Sequence, residues 1–594
     1  HRVEGMTRIT LVAAQSKLPS VQGRIGFLCE TAPDGTLTAR YPHALPVGEL
    51  IGDFSETKQR ASELAVRLLA DEPPLRGVQQ LRIFEEIVLL ELQHIFHAIN
   101  LHERLRALGI GSCAFPEPSR YAAVLTSLSA LTGSAITVHA PRVARSPIVR
   151  SLKRSARRLM DAGRSRENNR RELRLVGEKI DPFHIFPLWR TAQGRWRPGE
   201  IWFYSTAFTF TKIGQLYEPH FPRPFRYLVE NPATGGAPLK EQGRAYMSIY
   251  EFGCAEFIPK SGELAAAQAA LCNHLAQATL QARDSLARDL FFDSPFVAGF
   301  FNRMLAQGLY ATALFDNWIE RVQPAAVVVG NPVFEGYALH AARKYMIPTV
   351  LLQHGILGDF CQFVDPPADH YVVRGWFWRE FLSGAAAAKA KILNPAEPAV
   401  TRLADSADRR AILFLTAPFS MQEFWPSADL DDILRTLLEA AFATNAELII
   451  RVHPLESPGI YNAKVRKLRS PSATPAKVTF SQGASLDPVL ERSAVAVTFA
   501  STAFLDCLRH RVPVVSFRWH DFSFRRQIEQ HGVFHFAASL AELRQIVQRA
   551  IDGDLPPFAG DIEPFLASTP AGELRQGLRS CIRPMARTAG KSCA

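Results

Sequence analysis

The sequence predicts an α/β protein with two doubly wound, Rossmann-like domains and an additional N-terminal α/β or helical region. Three observations support this fold class. Short, fully apolar runs recur through the second half of the chain, and stretches with helical spacing of apolar residues separate them. Such runs are typical of parallel strands buried on both faces. Polar residues follow directly after several runs, as they do at the ligand-binding edge of doubly wound sheets.

The strand–helix–strand rhythm is clearest from Ala325 onward. Residues 325–329 predict a strand, Gly330-Asn331-Pro332 a loop, 335–345 a helix and 347–352 a second strand. The pattern then recurs, with predicted strands at 411–415, 448–452, 478–480, 495–498 and 512–516, and predicted helices at 430–442, 488–492 and 502–509. Earlier in the chain, 79–107 and 261–322 predict helices, and 134–140, 201–204 and 246–250 predict strands.

Shifts in pattern and composition divide the chain into five regions. They are an N-terminal α/β region at 1–141, a basic amphipathic linker or helix at 142–182, a first Rossmann-like domain at 183–370, a second at 371–560 and a tail at 561–594. The boundary between the two Rossmann-like domains is expected near 365–410. Asp365-Pro366-Pro367 and an alanine-rich run interrupt the strand–helix rhythm there.

Composition excludes several classes of protein. The 594 residues carry a formal net charge of +11, and 47% of them are hydrophobic, which excludes disorder as the main state. No apolar run in this sequence reaches the ~20 residues of a membrane helix, and we expect no secretory signal at its start. The 8 cysteines include no Cys-x-x-Cys pair, which argues against a disulfide framework and a zinc site. We therefore expect a cytoplasmic protein.

Residues 142–179 are strongly basic, and Ile148, Leu152, Ala156 and Leu159 give this segment one apolar face. A helix of this kind can lie on an anionic membrane surface, which would make the protein peripheral to the inner face of the cytoplasmic membrane. The alternative is a solvated connector between domains. Nucleic acid is not an expected partner, because no aromatic residues are interleaved with the basic ones.

Candidate site residues follow the predicted strands, since ligands of doubly wound sheets bind beyond the carboxyl ends of the strands. They are Asn331 and Glu335 after 325–329, Gln353, His354 and Gly355 after 347–352, Thr416 after 411–415, Arg451, His453 and Pro454 at the end of 448–452, and Ser501 and Thr502 after 495–498. Several such residues at successive strand ends are a stronger signal than any one of them.

Each residue type suits a particular chemistry. Ser501 and Thr502 can hold a phosphate at the start of a helix, or simply cap that helix. His453 can donate to a phosphate oxygen or protonate a leaving phosphate. His354 can act as a general base or bind an anion, and Glu335 can activate an acceptor hydroxyl. For each of these residues a purely structural role is the alternative.

Three motifs carry a resemblance to a known group of proteins. Gln353-His354-Gly355, Arg451-Val452-His453-Pro454 and the segment from Ser501 to Asp506 resemble, in this order, signatures of bacterial surface-polysaccharide transferases of the GT-B fold. The group includes CDP-glycerol glycerophosphotransferases and the capsule sialyl-, polysialyl- and Kdo transferases. The resemblance covers roughly 325–520.

The resemblance implies that 371–560 is a nucleotide-binding domain in which His453 contacts the nucleotide phosphates. It also implies Ser501 and Thr502 as hydroxyl partners of the phosphates, and His354 at an inter-domain cleft near the donor phosphate or the acceptor. We add as candidates Arg451, Pro454 and Thr416 around the phosphates, and Asn331, Gln353 and Gly355 on the acceptor side of the cleft. The catalytic candidates are Glu335, His354 and His453. The sialyltransferases carry an acidic motif that supplies a base, and Phe334-Glu335-Gly336 is its nearest substitute here. The resemblance implies no metal and no cofactor besides the nucleotide-sugar donor.

The expected function is therefore a metal-independent glycosyltransferase of bacterial surface polysaccharide or glycan synthesis. Its partners would be a nucleotide-sugar donor, for which a CMP-linked sugar is one candidate, and a glycan or lipid-linked acceptor. Three alternatives stay open: a CDP-polyol phosphotransferase of the teichoic-acid type, a non-catalytic glycan-binding protein with a GT-B-like fold, and a sugar-nucleotide epimerase.

Overall fold

The computed structural model describes part of the chain in detail. The described residues are 25–29, 45–46, 54–114, 120–134, 136–139, 171–172, 187–188, 199–206, 208–230, 236–244, 246–249, 257–278, 282–353, 367–374, 382, 384–395, 409–416, 427–453, 456–468, 477–482, 485–498, 501, 503–517 and 530–582. Contacts group the chain into two compact units. The first consists of His1–Arg60, Gln93–Val143 and Pro398–Leu566, and the second of Ala61–Leu92, Ala144–Glu397 and Ala567–Ala594.

The N-terminal region contains a parallel sheet of four strands in the order β2-β1-β3-β4. Its elements are β1 (Ile25–Cys29), β2 (Leu45–Pro46), α1 (Phe54–Leu69), α2 (Glu85–Ala107), β3 (Ser112–Ala114), α3 (Arg120–Thr132) and β4 (Thr137–His139). Helix α2 and the 3-10 turn Arg82–Phe84 before it account for the helix predicted at 79–107. This region is therefore α/β rather than purely helical.

Two short strands follow, and they form an antiparallel pair: β5 (Arg171–Glu172) and β6 (Pro187–Leu188). Strand β5 lies in the basic segment, so that short part of it is extended rather than helical. The apolar positions from Ile148 to Leu159 lie outside the described residues.

The second unit contains a parallel sheet of seven strands in the order β13-β12-β11-β10-β7-β8-β9. Its strands are β7 (Ile201–Ser205), β8 (Phe225–Val229), β9 (Tyr246–Ser248), β10 (Ala326–Val329), β11 (Thr349–Leu352), β12 (His370–Val373) and β13 (Ala390–Ile392). Its helices are α4 (Phe208–Tyr217), α5 (Ala237–Glu241), α6 (Ser261–Gln277), α7 (Ala282–Phe292), α8 (Pro295–Gly299), α9 (Leu305–Val322), α10 (Pro332–Lys344) and α11 (Gly384–Lys389). A 3-10 turn at Glu218–His220 and a π-helical turn at Phe300–Met304 also lie in this unit.

The seven-stranded sheet extends beyond its predicted end at residue 370. Strand β12 pairs with β11, and β13 pairs with β12, so the sheet continues to Ile392. The two prolines before β12 interrupt the sequence pattern without ending the sheet. The last strand of this sheet therefore ends beyond residue 370, within the range 365–410 in which the boundary is expected.

The first unit also contains a parallel sheet of six strands in the order β16-β15-β14-β17-β18-β19. Its strands are β14 (Ala411–Leu415), β15 (Glu447–Arg451), β16 (Val478–Ser481), β17 (Ser493–Thr498), β18 (Val514–Phe517) and β19 (His535–Ala537). Its helices are α12 (Ser427–Ala443), α13 (Pro458–Leu468), α14 (Asp487–Leu490), α15 (Phe504–Arg509), α16 (Leu540–Ile551) and α17 (Glu563–Leu566). The two doubly wound domains predicted from the apolar runs are thus both present as parallel sheets.

The apolar strands form the two cores. Every residue of β10, β11, β14 and β17 is buried, as their apolar sequences predict. Burying one such Val, Leu or Ile side chain contributes about 1.5–3 kcal/mol, so these strands dominate the stability of each sheet. The expected tail at 561–594 is also part of a core. It contains helix α18 (Ala571–Arg579), whose Leu574 and Leu578 pack in the core of the seven-stranded sheet.

Among the described residues, no helix is both long and apolar enough to cross a membrane.

Candidate functional site

The six-stranded sheet has one point where the chain changes direction across it. Strand β14 pairs with β15 on one side and with β17 on the other, so successive connections run outward in opposite directions from β14. A doubly wound sheet has its ligand crevice at this point, beyond the carboxyl ends of the strands. Thr416 directly follows β14, and Ser501 lies three residues beyond the last residue of β17, Thr498. The fold therefore places both predicted residues at this edge of the sheet.

Thr416 joins this point to the end of β15. Its backbone N–H donates to the carbonyl of Arg451 at 3.1 Å, and its Oγ1 accepts from the backbone N–H of His453 at 2.8 Å. Thr416 is buried, whereas His453 is half-buried. The three predicted residues Thr416, Arg451 and His453 are thus brought together by direct hydrogen bonds.

The side chain of Arg451 is held at the same edge. Its Nη1 donates to Ser481 Oγ at 2.7 Å, at the end of the neighbouring strand β16. Burial lowers the pKa of the guanidinium below its usual value, and the negative charge of Asp506 acts in the opposite direction. An arginine remains cationic after such a change, so the edge carries a fixed positive charge suited to an anion.

The imidazole of His453 is affected by two opposing influences. Burial lowers its pKa below 6.5, and the charge of Glu456 acts to raise it. The histidine is therefore mostly neutral near pH 7. A neutral imidazole donates one hydrogen bond and accepts another, and an approaching phosphate would favour its protonation.

Ser501 differs from its predicted setting. Helix α15 begins at Phe504 rather than at Thr502 and contains 6 residues. Ser501 Oγ accepts from the backbone N–H of Ala503 at 3.3 Å, and the Ser501 carbonyl accepts from Phe504 N at 3.0 Å. The serine therefore belongs to the turn that leads into the helix. Thr498, at the end of β17, has a buried hydroxyl without a hydrogen-bond partner among the described residues.

The seven-stranded sheet changes direction between β7 and β10, and Glu335 lies there. Its side chain is 0% exposed. Oε1 accepts from the backbone N–H of Thr206 at 2.8 Å, and Oε2 accepts from the N–H groups of Gly330 at 2.7 Å and Asn331 at 2.9 Å. Burial raises the pKa of Glu335 to about 8 against these backbone hydrogen bonds, which lower it. The carboxyl group thus holds the ends of both strands.

Asn331 and Gln353 lie at the same edge of this sheet, and both are buried. The Asn331 carbonyl accepts from the backbone N–H of Glu335 at 3.2 Å, and Gln353 Oε1 accepts from the backbone N–H of Arg374 at 2.8 Å. Gln353 therefore connects the ends of β11 and β12. His354, Gly355, Pro454 and Thr502 lie outside the described residues, so their roles stay predictions.

Sequence patterns did not point to several residues that build these edges. They are Thr206, Arg374, Glu456, Tyr461, Ser481 and Gln482. Ser481 and Gln482 do follow a predicted strand, so the rule that found His453 could also have found them. Glu456 and Tyr461 follow no strand directly, and their contacts depend on tertiary structure. Within the described ranges, no group of three or more His, Cys, Asp or Glu side chains could hold a metal ion.

Part of the edge of the six-stranded sheet lies in a segment that resembles known proteins. Residues 422–525 match the family model described as capsule polysaccharide biosynthesis protein. This segment contains Arg451, His453 and Ser501, so the resemblance to bacterial polysaccharide proteins is confirmed over these motifs. No curated protein sequence matches the chain.

The solved structures that match this chain include an epimerase, a protein solved with UDP and glucose, and a galactosyltransferase. UDP-GlcNAc 2-epimerase from Methanocaldococcus jannaschii, solved with UDP-GlcNAc and UDP, is 11% identical with a TM-score of 0.40, over 64% of this chain and 98% of the epimerase. Anabaena HepE, solved with UDP and glucose, is 11% identical with a TM-score of 0.40, over 64% of this chain and 98% of HepE. The lipopolysaccharide outer core galactosyltransferase WaaB is 11% identical with a TM-score of 0.33, over 65% of this chain and 95% of WaaB. At these TM-scores the likenesses assign neither a function nor a ligand to this chain.

Proposed function

We propose that this protein is a glycosyltransferase that uses a nucleotide-activated sugar in the synthesis of a bacterial surface polysaccharide. One observation carries the proposal. The polar edge formed by Thr416, Arg451 and His453 lies at the direction change of a doubly wound sheet, and two of its three residues, Arg451 and His453, fall within the segment that matches the capsule biosynthesis family. That edge combines a fixed cation, an imidazole and hydroxyl groups, which is the chemistry that binds a diphosphate or phosphate.

The reaction proposed is attack of an acceptor hydroxyl oxygen on the anomeric carbon of the donor sugar. The new bond forms between that oxygen and the anomeric carbon. The bond from the anomeric carbon to the phosphate oxygen breaks, and its electron pair leaves with the nucleotide. Arg451 and His453 stabilise the negative charge on the departing phosphate, with Ser501 and Thr502 as hydroxyl donors. Side chains thus perform the role that a metal has in other transferases.

A base must accept the proton of the acceptor hydroxyl, and the candidates are Glu335 and His354. The carboxyl group of Glu335 is buried, and both of its oxygens already accept backbone hydrogen bonds. These contacts support a role in holding the loops after β7 and β10, and a role as base would require them to break. We therefore favour His354 as the base. Asn331, Gln353 and Gly355 are proposed to contact the acceptor.

Two finer points belong to the same proposal. The acceptor is a glycan or a lipid-linked glycan, and the basic segment at 142–179 attaches the protein to an anionic membrane surface. This segment would bring the enzyme to acceptors that grow on lipid carriers.

The proposal is tested by thermal unfolding in the presence of CMP, CDP, UDP, GDP or ADP. A ligand that binds only the folded state stabilises it by about 2.7 kcal/mol at a hundredfold excess over its Kd. We expect a raised Tm with nucleotides of one base, and loss of that rise in His453→Ala. His535→Ala is the matched control, because His535 is another partly buried histidine of the same sheet but begins its strand at the opposite, amino edge.

The outcomes separate the alternatives. A rise with CMP or CDP indicates sialyl, Kdo or polyol-phosphate donors, and product analysis then distinguishes a glycoside from the phosphodiester that a CDP-polyol phosphotransferase would make. A rise with UDP or GDP indicates ordinary hexose donors. A Tm unchanged by all five nucleotides would overturn the proposal in favour of a non-catalytic glycan-binding protein.

A further inference from the structure

The turn that carries His453 is held from two sides. Within the turn, the backbone N–H of Glu456 donates to the His453 carbonyl at 2.9 Å. From outside, Gln482 Nε2 donates both to the His453 carbonyl at 2.9 Å and to the Glu456 carbonyl at 2.8 Å. Gln482 directly follows β16, so this side chain attaches the turn to the neighbouring strand. The backbone on both sides of the imidazole is thereby fixed.

A chain of hydrogen bonds connects the same turn to a buried carboxylate. Glu456 is 8% exposed, and its Oε2 accepts from Tyr461 Oη at 2.6 Å and from Thr416 Oγ1 at 3.3 Å. Thr416 Oγ1 in turn accepts from the His453 backbone N–H at 2.8 Å. Because each hydroxyl is polarised by the next group, such a chain orients its members more firmly than separate bonds would.

A buried carboxylate is costly, and the position of this one explains why it is useful. Removing a carboxylate from water costs several kcal/mol, whereas a neutral glutamine could accept the same two hydroxyl hydrogens. What a glutamine could not provide is negative charge beside His453. That charge raises the pKa of His453 against burial, which lowers it. Arg451 and Asp506 also carry charge near this edge; the two interact with each other, and Asp506 forms an ion pair with Arg509.

We propose that Glu456 is a positioning residue for His453. Through Thr416 it fixes the backbone of the turn. Its negative charge favours the cationic form of the imidazole, which can then bind an anionic phosphate. The proposal deepens the proposed function and rests on it for the identity of the ligand. The chemistry it implies is recognition of a phosphate or diphosphate by a histidine that becomes protonated when the anion binds. Without Glu456, the backbone of the turn would be held less firmly and the imidazole would be protonated less readily when the ligand binds.

The first test needs no nucleotide. The imidazole resonance of His453, assigned by its loss in His453→Ala, is titrated by NMR in the wild type and in Glu456→Gln. We expect the titration midpoint to fall by about half a pH unit or more in Glu456→Gln, because an opposite charge has been removed. Glu456→Asp keeps the charge and should restore most of the midpoint. The matched control is Glu447→Gln. Glu447 begins strand β15, at the end opposite to His453, and its carboxylate also accepts a hydrogen bond from a threonine hydroxyl.

The second test uses CDP and UDP as probes. For the nucleotide that binds the wild type, we expect the Kd to rise about tenfold in Glu456→Gln at pH 7. The difference in Kd between the two proteins should become smaller as the pH falls, because His453 is then protonated in both. An unchanged midpoint together with an unchanged Kd would overturn the role of Glu456. If neither nucleotide binds the wild type, the proposed function fails, while the NMR titration still decides whether Glu456 acts on His453.

A third variant keeps the proposal testable if Glu456→Gln does not fold. Tyr461→Phe removes one hydroxyl donor from the carboxylate and leaves its charge in place. We expect weaker nucleotide binding with a titration midpoint close to that of the wild type, because positioning is lost and charge is retained. Nucleotide binding as strong as in the wild type would contradict a positioning role.

Discussion

Glu335 and Thr206 are 129 positions apart in the chain, and a hydrogen bond of 2.8 Å joins the Thr206 backbone N–H to Glu335 Oε1. The other carboxyl oxygen accepts from the backbone N–H groups of Gly330 and Asn331. One buried side chain therefore joins the carboxyl ends of β7 and β10, the two strands between which the sheet changes direction. At this predicted acceptor edge, the loops after β7 and β10 are therefore held by one carboxyl group.

The protonation of Glu335 should make the stability of the second unit depend on pH. Burial raises its pKa from 4.5 to about 8, so between these values the folded state binds more protons than the unfolded state. Stability from this group is fully present below about pH 4.5 and is lost as the pH rises towards 8. We expect the wild type to lose on the order of 1–3 kcal/mol relative to Glu335→Gln between pH 5 and 8, measured by urea unfolding.

The opposite slope would contradict this prediction. If the wild type gained stability relative to Glu335→Gln as the pH rises, the backbone donors would outweigh burial, and the carboxylate would be the favoured form. Asp316→Asn is the control in the same unit. Asp316 forms an ion pair with Lys344 that is largely exposed, and pairs of this kind contribute about 0–1 kcal/mol, so little change in slope is expected.

Gly214→Ala should destabilise the second unit by about 1–3 kcal/mol, because there is no space for a methyl group. A Cβ at Gly214 would lie 2.7 Å from the ring of Phe203. That ring is buried, with the ring of Phe225 stacked on it at 5.4 Å and Tyr227 at 5.5 Å, so it cannot turn away. Urea unfolding gives the free energy of unfolding for the comparison.

Gly262→Ala is the matched control for that substitution. Gly262 also lies in a helix of the same unit, but a Cβ there would meet no atom within 4 Å. Alanine has the better helix propensity, so this variant should be neutral or more stable by up to about 0.5–1 kcal/mol. If both variants lost the same stability, the packing against Phe203 would not be the cause.

Arg451→Met should weaken nucleotide binding about tenfold, which corresponds to about 1.4 kcal/mol. Methionine keeps the apolar stem and removes the guanidinium that Ser481 holds in place. The salt dependence of the Kd should also decrease, because one fixed cation is lost. Arg435→Met is the control, since Arg435 pairs with Asp432 on helix α12, away from the strand ends. The Kd is measured by titration calorimetry. Equal Kd values for Arg451→Met and the wild type would show that Arg451 does not take part in nucleotide binding.

Binding to anionic vesicles should require the basic segment. We expect the wild type to sediment with vesicles that contain phosphatidylserine and to remain in the supernatant with neutral phosphatidylcholine vesicles. Reversing the charges of Arg154, Arg157 and Arg158 to Glu should abolish sedimentation and leave the Tm unchanged. Sedimentation of the charge-reversed protein equal to that of the wild type would support the connector role instead.

The sequence pattern located many of the strands and the polar residues at their carboxyl ends, because both follow local rules. Fully apolar runs such as Ala411–Leu415 have one common structural setting, the buried parallel strand. Polar residues after such runs must then lie at the carboxyl edge, which placed Thr416 and Arg451 correctly. Strand β8 is one of several strands that were not predicted. Arg226 interrupts its apolar run, and in the structure Arg226 pairs with Glu200.

The parts that pattern could not predict depend on contacts between distant segments. Nothing near Glu456 in sequence shows that its carboxylate will meet Thr416, which is 40 positions earlier. Likewise, a first-turn glutamate such as Glu335 reads as a residue placed by the helix dipole until Thr206 is brought to it. Side-chain networks of this kind arise from tertiary structure, and a single sequence contains no local signal for them.

Helix α18 has a consequence for how the protein is made. Its Leu574 and Leu578 belong to the core of the seven-stranded sheet, whose strands end at Ile392. During synthesis the ribosome must therefore translate the whole stretch Pro398–Leu566 before this core can close. Until then, the apolar surface that Leu574 and Leu578 cover in the folded protein stays exposed on the nascent second unit. This exposed surface makes the nascent chain a substrate for chaperones. A stop codon just before Leu574 would therefore damage the seven-stranded sheet, although the ribosome had translated all of its strands.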